Sequence, residues 1–208
     1  MALQKAATSN AASEPTGPVA QDAAALCEEL LHHPDPVRRR EAAAALRAHP
    51  GCVASMVQAL RSESCREVQS ALWTSLSVIG DDDVAKALIP LLQSDEASLR
   101  NGAMEVLATM PQVVSDHVDE LLRHPDPDTR LLTLQLLSEL QHPSIRRWLR
   151  GVLQHDDSLN VVGSAMEGMA EAGMPQDVEL LRAAVQRFGN DPFLAFAADV
   201  AISRIESP

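Results

Sequence analysis

Histidine beside carboxylate is the pattern that would most readily hold a metal or move a proton, so the seven histidines come first. Four of them, His33, His49, His124 and His142, stand directly before a proline. A helix seldom continues through the residue ahead of a proline. These side chains therefore belong at helix ends, where free carbonyls and the helix dipole favour a cation. His117 with Glu120, and His155 with Asp156, could each hold a metal weakly, but neither has a second matching pair, so no metal site is expected. Arg39, Arg100 and Arg130 each follow an acid by four residues, namely Asp35, Glu96 and Asp126. They can be read as an anion-binding row. The plainer chemistry is a structural ladder of stacking salt bridges and bonds to turn carbonyls. Arg146, Arg147 and Arg150 cluster on one stretch, as a solvated face or as a site for an acidic partner. No Gly-rich phosphate loop, GxSxG or Ser/His/Asp grouping occurs, so no catalytic residue and no cofactor are expected.

The elements that must position these residues follow from composition. Of 208 residues, 46% are hydrophobic but only 2% aromatic, with no Tyr, so Ala, Leu, Val and Met must build the core. Such a mixture favours helix over strand. The net charge of -12 lies almost wholly beyond residue 66. That surface would repel nucleic acid and anionic membranes, which leave a basic footprint on the proteins that bind them. No apolar run approaches the roughly 18 residues needed for a membrane span. Cys27, Cys52 and Cys65 are odd in number and lack metal-ligand spacing, which points to reduced thiols in a cytoplasm. Arg far outnumbers Lys, a compositional hint of a GC-rich bacterial genome.

Residues 1–17 are small and polar without periodicity and read as a disordered tail; residues 18–208 read as one folded region. Within it, helical segments are expected near 19–32, 36–48, 52–62, 66–79, 82–93, 97–110, 112–123, 127–141, 144–154, 158–172, 176–188 and 192–206. The second helices of successive pairs align. With Asp35, Cys65, Glu96, Asp126, Ser158 and Asp191 as position one, the intervals are 30, 31, 30, 32 and 33 residues. Position eight is Ala42, Leu72, Ala103, Thr133, Ala165 and Ala198, mostly small; position twelve is Leu46, Leu76, Leu107, Leu137, Met169 and Ile202, always a large aliphatic. Small residues let paired helices approach, and the aliphatics fill the layer between pairs. Asp35 with Pro36, and Asp126 with Pro127, are cap and first-turn chemistry.

On this period, its two helices per unit and the stretches DPVRRREAAAAL (35–46), EASLRNGAMEVL (96–107) and DPDTRLLTLQLL (126–137), the chain resembles HEAT repeats. The short bacterial type, also found in phycobilin lyase subunits, is the most similar. The resemblance covers residues 19–206 and implies an all-α solenoid of about six two-helix units. Gln69, Val162 and Ala195 replace Arg in the second, fifth and sixth units, so the ladder of Asp35, Arg39, Glu96, Arg100, Asp126 and Arg130 is expected to be interrupted. One enzyme family with these repeats, deoxyhypusine hydroxylase, binds iron through His-Glu pairs, and this chain has no such dipeptide. Arg-rich DNA-binding glycosylases of similar build do not fit the net charge.

In such a stack the second helices line the concave side. Arg40 and Arg47 would make its first end basic, Glu105 and Gln135 its middle polar, and Phe193 and Phe196 its last end apolar. Leu131 and Leu132 stand where polar groups are expected, which marks them as candidate anchors for a peptide or helix of another protein. The competing account packs Phe193 and Phe196 beneath the last outer helix to close the core. The expected function is a monomeric, non-catalytic adaptor that binds a protein partner, with a bilin lyase-like or cofactor-attachment role as the alternative.

Overall fold

The computed structural model describes residues 18–207, with side chains from Asp22 onward; the expected tail over 1–17 lies outside the described residues. Twelve α-helices and no strand are found among the described residues. They are α1 (Pro18–His32), α2 (Pro36–Ala45), α3 (Val53–Leu60), α4 (Arg66–Ile79), α5 (Asp82–Leu88), α6 (Ala97–Ala108), α7 (Pro111–Leu121), α8 (Pro127–Glu139), α9 (Ile145–His155), α10 (Leu159–Ala172), α11 (Val178–Arg187) and α12 (Pro192–Glu206). Consecutive pairs form six units stacked into an α-solenoid. Even-numbered helices pack neighbour on neighbour from α2 to α12 and form a continuous inner layer.

The repeat alignment has a direct packing meaning. At position eight Ala42, Leu72, Ala103, Thr133, Ala165 and Ala198 are all buried, and at position twelve all but the half-buried Ile202 are as well. One apolar core therefore runs the length of the stack, because a single pair cannot cover its own apolar face. Helix ends differ from expectation where proline intervenes. Pro90 has no N–H and its ring crowds the preceding turn, so α5 stops at Leu88 and Ile89–Gln93 continues as a 3-10 helix. The expected extension of α2 to residue 48 is likewise a 3-10 turn, Leu46–Ala48. Gly80 closes α4 at φ 55°, a left-handed conformation that suits glycine, and Asp81 then caps α5 by accepting the Val84 N–H at 3.0 Å.

The turns between paired helices share one construction in the first five units. The residue two before position one accepts the position-one N–H through its side chain: His33 for Asp35 at 3.1 Å, Glu63 for Cys65 at 2.8 Å, Ser94 for Glu96 at 3.2 Å, His124 for Asp126 at 3.2 Å and Asp156 for Ser158 at 2.9 Å. The backbone carbonyl of that same residue accepts from position five, from Arg39 at 2.8 Å, Gln69 at 2.7 Å, Arg100 at 2.6 Å and Arg130 at 2.8 Å. His33 and His124 are thus acceptors through Nδ1. Both rings therefore take part in the turn itself, at the helix ends where the sequence places them.

The acids of the ladder also need correction. Asp35 and Asp126 are caps, accepting the Val37 N–H and the Asp128 and Thr129 N–H groups, and Glu96 takes the Ser98 hydroxyl. None meets an arginine of a neighbouring unit. The rungs run instead from position five to the acid two before position one in the next unit. Arg39 reaches Glu63 at 2.8 and 3.0 Å, and Arg130 reaches Asp156 at 2.7 and 3.0 Å, both bidentate. For Arg100 the corresponding place in the next unit is held by His124 instead of an acid, and Arg100 makes no ion pair among the described residues. The reason is reach: a cap carboxylate is held by its own first turn, while the upstream residue projects from the turn towards the preceding unit.

Candidate functional site

On the inner layer a groove of about 770 Å³ opens over the fourth to sixth units. Leu131, Leu134 and Leu137 of α8, Ile145 and Leu149 of α9, Gly168 and Ala172 of α10 and Phe193 of α12 form its apolar lining. Its polar edge carries Gln135, Asn160 and three exposed carboxylates, Glu139, Glu167 and Glu171. Glu171 holds one cation, Arg204, at 3.1 Å. Leu131 is half-buried and rests on the core, so its exposed part is held rigidly.

The sixth unit supplies what continues this surface. Asp191 caps α12 by accepting the Phe193 and Leu194 N–H groups at 2.9 and 3.3 Å, and Pro192 occupies the first turn. That start sets the helix phase. Leu194, Ala197, Ala198 and Ala201 turn inward, while Phe193, Phe196 and Val200 face solvent at 47%, 70% and 48% exposure. The packing of Phe193 and Phe196 beneath the last outer helix is therefore overturned. Leu194, Ala197, Ala198 and Ala201 occupy the inward face of α12 instead. Phe193 instead lays its ring across Gly163 of α10, at the place a Cβ would occupy. Trp73 of α4 does the same over Gly102 of α6.

Of the other expected partner residues, Gln135 lines the groove. Leu132 is half-buried without lining it, and Glu105 is exposed on α6, away from it. Arg40 and Arg47 are exposed in the first unit, several repeats distant. The expected gradient from a basic end to an apolar end does not form a single surface, because the groove spans only the units around α8, α10 and α12. Its acidic edge, from Glu139, Glu167 and Glu171, was missed in the sequence. Glu139 and Glu171 lie near the C-terminal ends of α8 and α10, beyond the positions that the repeat template marks as concave, while Glu167 stands at the same repeat position as Gln135.

No group of three or more His, Cys, Asp or Glu side chains capable of holding a metal occurs among the described residues. His117 donates through Nε2 to the Asp82 carboxylate at 2.7 Å, a bridge from α7 back to α5, and is not paired with Glu120. No helix of the described residues is long and apolar enough to cross a membrane.

The family described as HEAT repeats matches residues 23–108 and 115–197. A protein of Pseudanabaena tenuis named uncharacterized phycocyanin operon protein Z is 25% identical over 191 residues, 86% of this chain and 93% of that protein. Among solved structures, an engineered protein is similar at TM-score 0.38 and 20% identity, covering 89% of this chain and 96% of the other. The complex of CpcE and CpcF of phycocyanin lyase from Nostoc is similar at TM-score 0.37 and 19% identity, covering 88% of this chain and 82% of the other.

Proposed function

The chain belongs to the HEAT-repeat family, and from that premise we propose that it is a non-catalytic adaptor whose inner groove binds a segment of another protein. The observation that carries this reading is the continuity of the groove with the solvent-facing stripe of Phe193, Phe196 and Val200. Large apolar side chains exposed together at helical spacing are rare without a partner to cover them. Their spacing, with Leu131 across the groove, suits an amphipathic helix or an extended apolar segment. The acidic edge adds selectivity for basic residues flanking that segment. The acidic surface as a whole supports a protein partner over nucleic acid.

Affinity capture from the native host tests the reading, with Leu131→Glu and Phe196→Glu run beside the parent chain. Both positions are at least partly exposed, so both variants should fold, and each should lose the partners that the parent retains. Two folded variants that keep every partner would sink the groove.

A second reading rests on the name of the Pseudanabaena relative, which ties that protein to a phycocyanin operon. On it, the chain assists attachment of a bilin to an acceptor protein. Incubation of the chain with free bilin and apo-acceptor, followed by absorbance, separates the two readings: the adaptor alone leaves the spectrum unchanged.

A further inference from the structure

The outer layer is interrupted at one place. From α1 to α7 each odd-numbered helix packs on the next, and α9 packs on α11, but α7 and α9 share little direct contact. A cleft of about 1400 Å³ occupies that junction. Its walls are the end of α7, the turn before α8, the outward side of α9 and the turn before α10. The same helix α9 therefore separates two sites. Ile145 and Leu149 line the inner groove, while Arg146, Arg147 and Arg150 line the cleft.

The cleft inverts the charge of the molecule. Five guanidinium groups line it, those of Arg123, Arg130, Arg146, Arg147 and Arg150, in a chain whose net charge is -12. Arg130 is saturated by Asp156. Arg146 and Arg150 share the single buried carboxylate of Asp177, with Arg146 at 2.7 and 2.9 Å, so one of their two charges has no counterion of its own. Arg147 is 62% exposed and touches Asp119 only at 3.3 Å, and Arg123 forms no ion pair among the described residues. Asp157, the remaining acid of the lining, is 96% exposed and meets Arg130 at 3.4 Å, so it leaves Arg123, Arg147 and the Arg146–Arg150 pair uncompensated. Beneath these charges lies an apolar floor of Leu122, Trp148 and Val152. Trp148 is 3% exposed, stacks on His142 with centroids 5.0 Å apart, and has no acceptor for its indole N–H among the described residues.

We propose that this cleft is a second docking site, for an acidic peptide segment of a partner protein with apolar residues set among its carboxylates. Guanidinium groups are suited to carboxylates because their planar forks match them in two-point hydrogen bonds. Arg123 and Arg147 at the rim meet the outer carboxylates, and the surplus charge of the Arg146–Arg150 pair meets one placed deeper. The apolar floor takes the intervening side chains. An adaptor with a basic outer cleft and an acidic-edged inner groove holds two chemically different segments on opposite sides of one helix.

The experiment uses the full chain and a fluorescein-labelled peptide with Asp-Glu-Leu repeated three times, followed by anisotropy. Saturable binding that weakens as salt is raised is expected, together with a change in Trp148 fluorescence in a Trp73→Phe background. The double variant Arg123→Glu with Arg147→Glu should bind about tenfold more weakly or worse, since both charges would now repel the peptide. Its melting temperature should stay near that of the parent, because both side chains are exposed. Leu131→Glu should leave this binding unchanged, which keeps the test separate from that of the inner groove. Absence of saturable binding overturns the proposal, as does undiminished binding by the double variant. Equal binding of a peptide with serine in place of leucine also overturns it, since the floor would then play no part.

Discussion

Asp177 shows how a single carboxylate organises a junction between units. It is fully buried, receives Arg146 and Arg150 from α9, and accepts the Met174 N–H at 2.9 Å. Burial alone would push its carboxyl upward; the two guanidinium groups and the backbone donor outweigh that and hold it below its ordinary value. A carboxyl whose native pKa lies below its unfolded value binds protons more readily when unfolded. Its contribution is therefore complete above the unfolded value of about 4 and is lost as pH falls through the lower native value. Glu63 behaves in the same direction, chiefly through its hydrogen bond from Arg39. Asp177→Asn should lower stability at neutral pH and flatten the decline of stability between about pH 5 and pH 2. Denaturant titration at several pH values reads this, and a decline as steep as that of the parent would refute it. At this scale the sequence showed the acids and arginines but paired them wrongly. A spacing of four residues within a helix is visible in one dimension, whereas a turn that points at the preceding unit is not.

Among the elements, α10 and α12 depend on glycine for their approach. The Phe193 ring covers Gly163, and a methyl group there would displace it. Alanine ordinarily stabilises a helix interior over glycine by about 1 kcal/mol, so two effects of opposite sign compete at this position. Gly163→Ala should show no such gain in the parent chain, because the ring loses its seat. In a Phe193→Ala background the same substitution should stabilise by up to about 1 kcal/mol. A double-mutant cycle by urea unfolding measures the coupling, and additive effects would mean that the ring does not rest on Gly163. Phe193 and Gly163 could be placed on second helices from sequence, but their contact depends on the crossing of α10 and α12, which no local pattern encodes.

For the whole molecule, the stack transmits energy only between neighbours. Arg130→Ala leaves the buried Asp156 carboxylate without its cation and should cost about 3 kcal/mol, within the range seen when one partner of a buried pair is removed. In a solenoid that loss should stay local. Hydrogen exchange should quicken in α8, α9 and α10 and remain unchanged in α1 to α4. Uniform acceleration along the chain would show that the six units unfold as one block.

Repeat length, helix count, the caps at Asp35 and Asp126, and the buried small and large positions of each unit were determined by the sequence alone. All of these are consequences of residues within one turn or one repeat of each other, and a period of about 31 residues repeats the same local physics six times. The tertiary structure decided the rest. It turned Phe193 and Phe196 outward, moved the arginine rungs to Glu63 and Asp156, gathered three glutamates at the groove edge and left the outer layer open between α7 and α9. Each of these depends on the angle and offset at which one unit meets the next. Those are set by the summed packing of many side chains, not by any residue that a motif can single out.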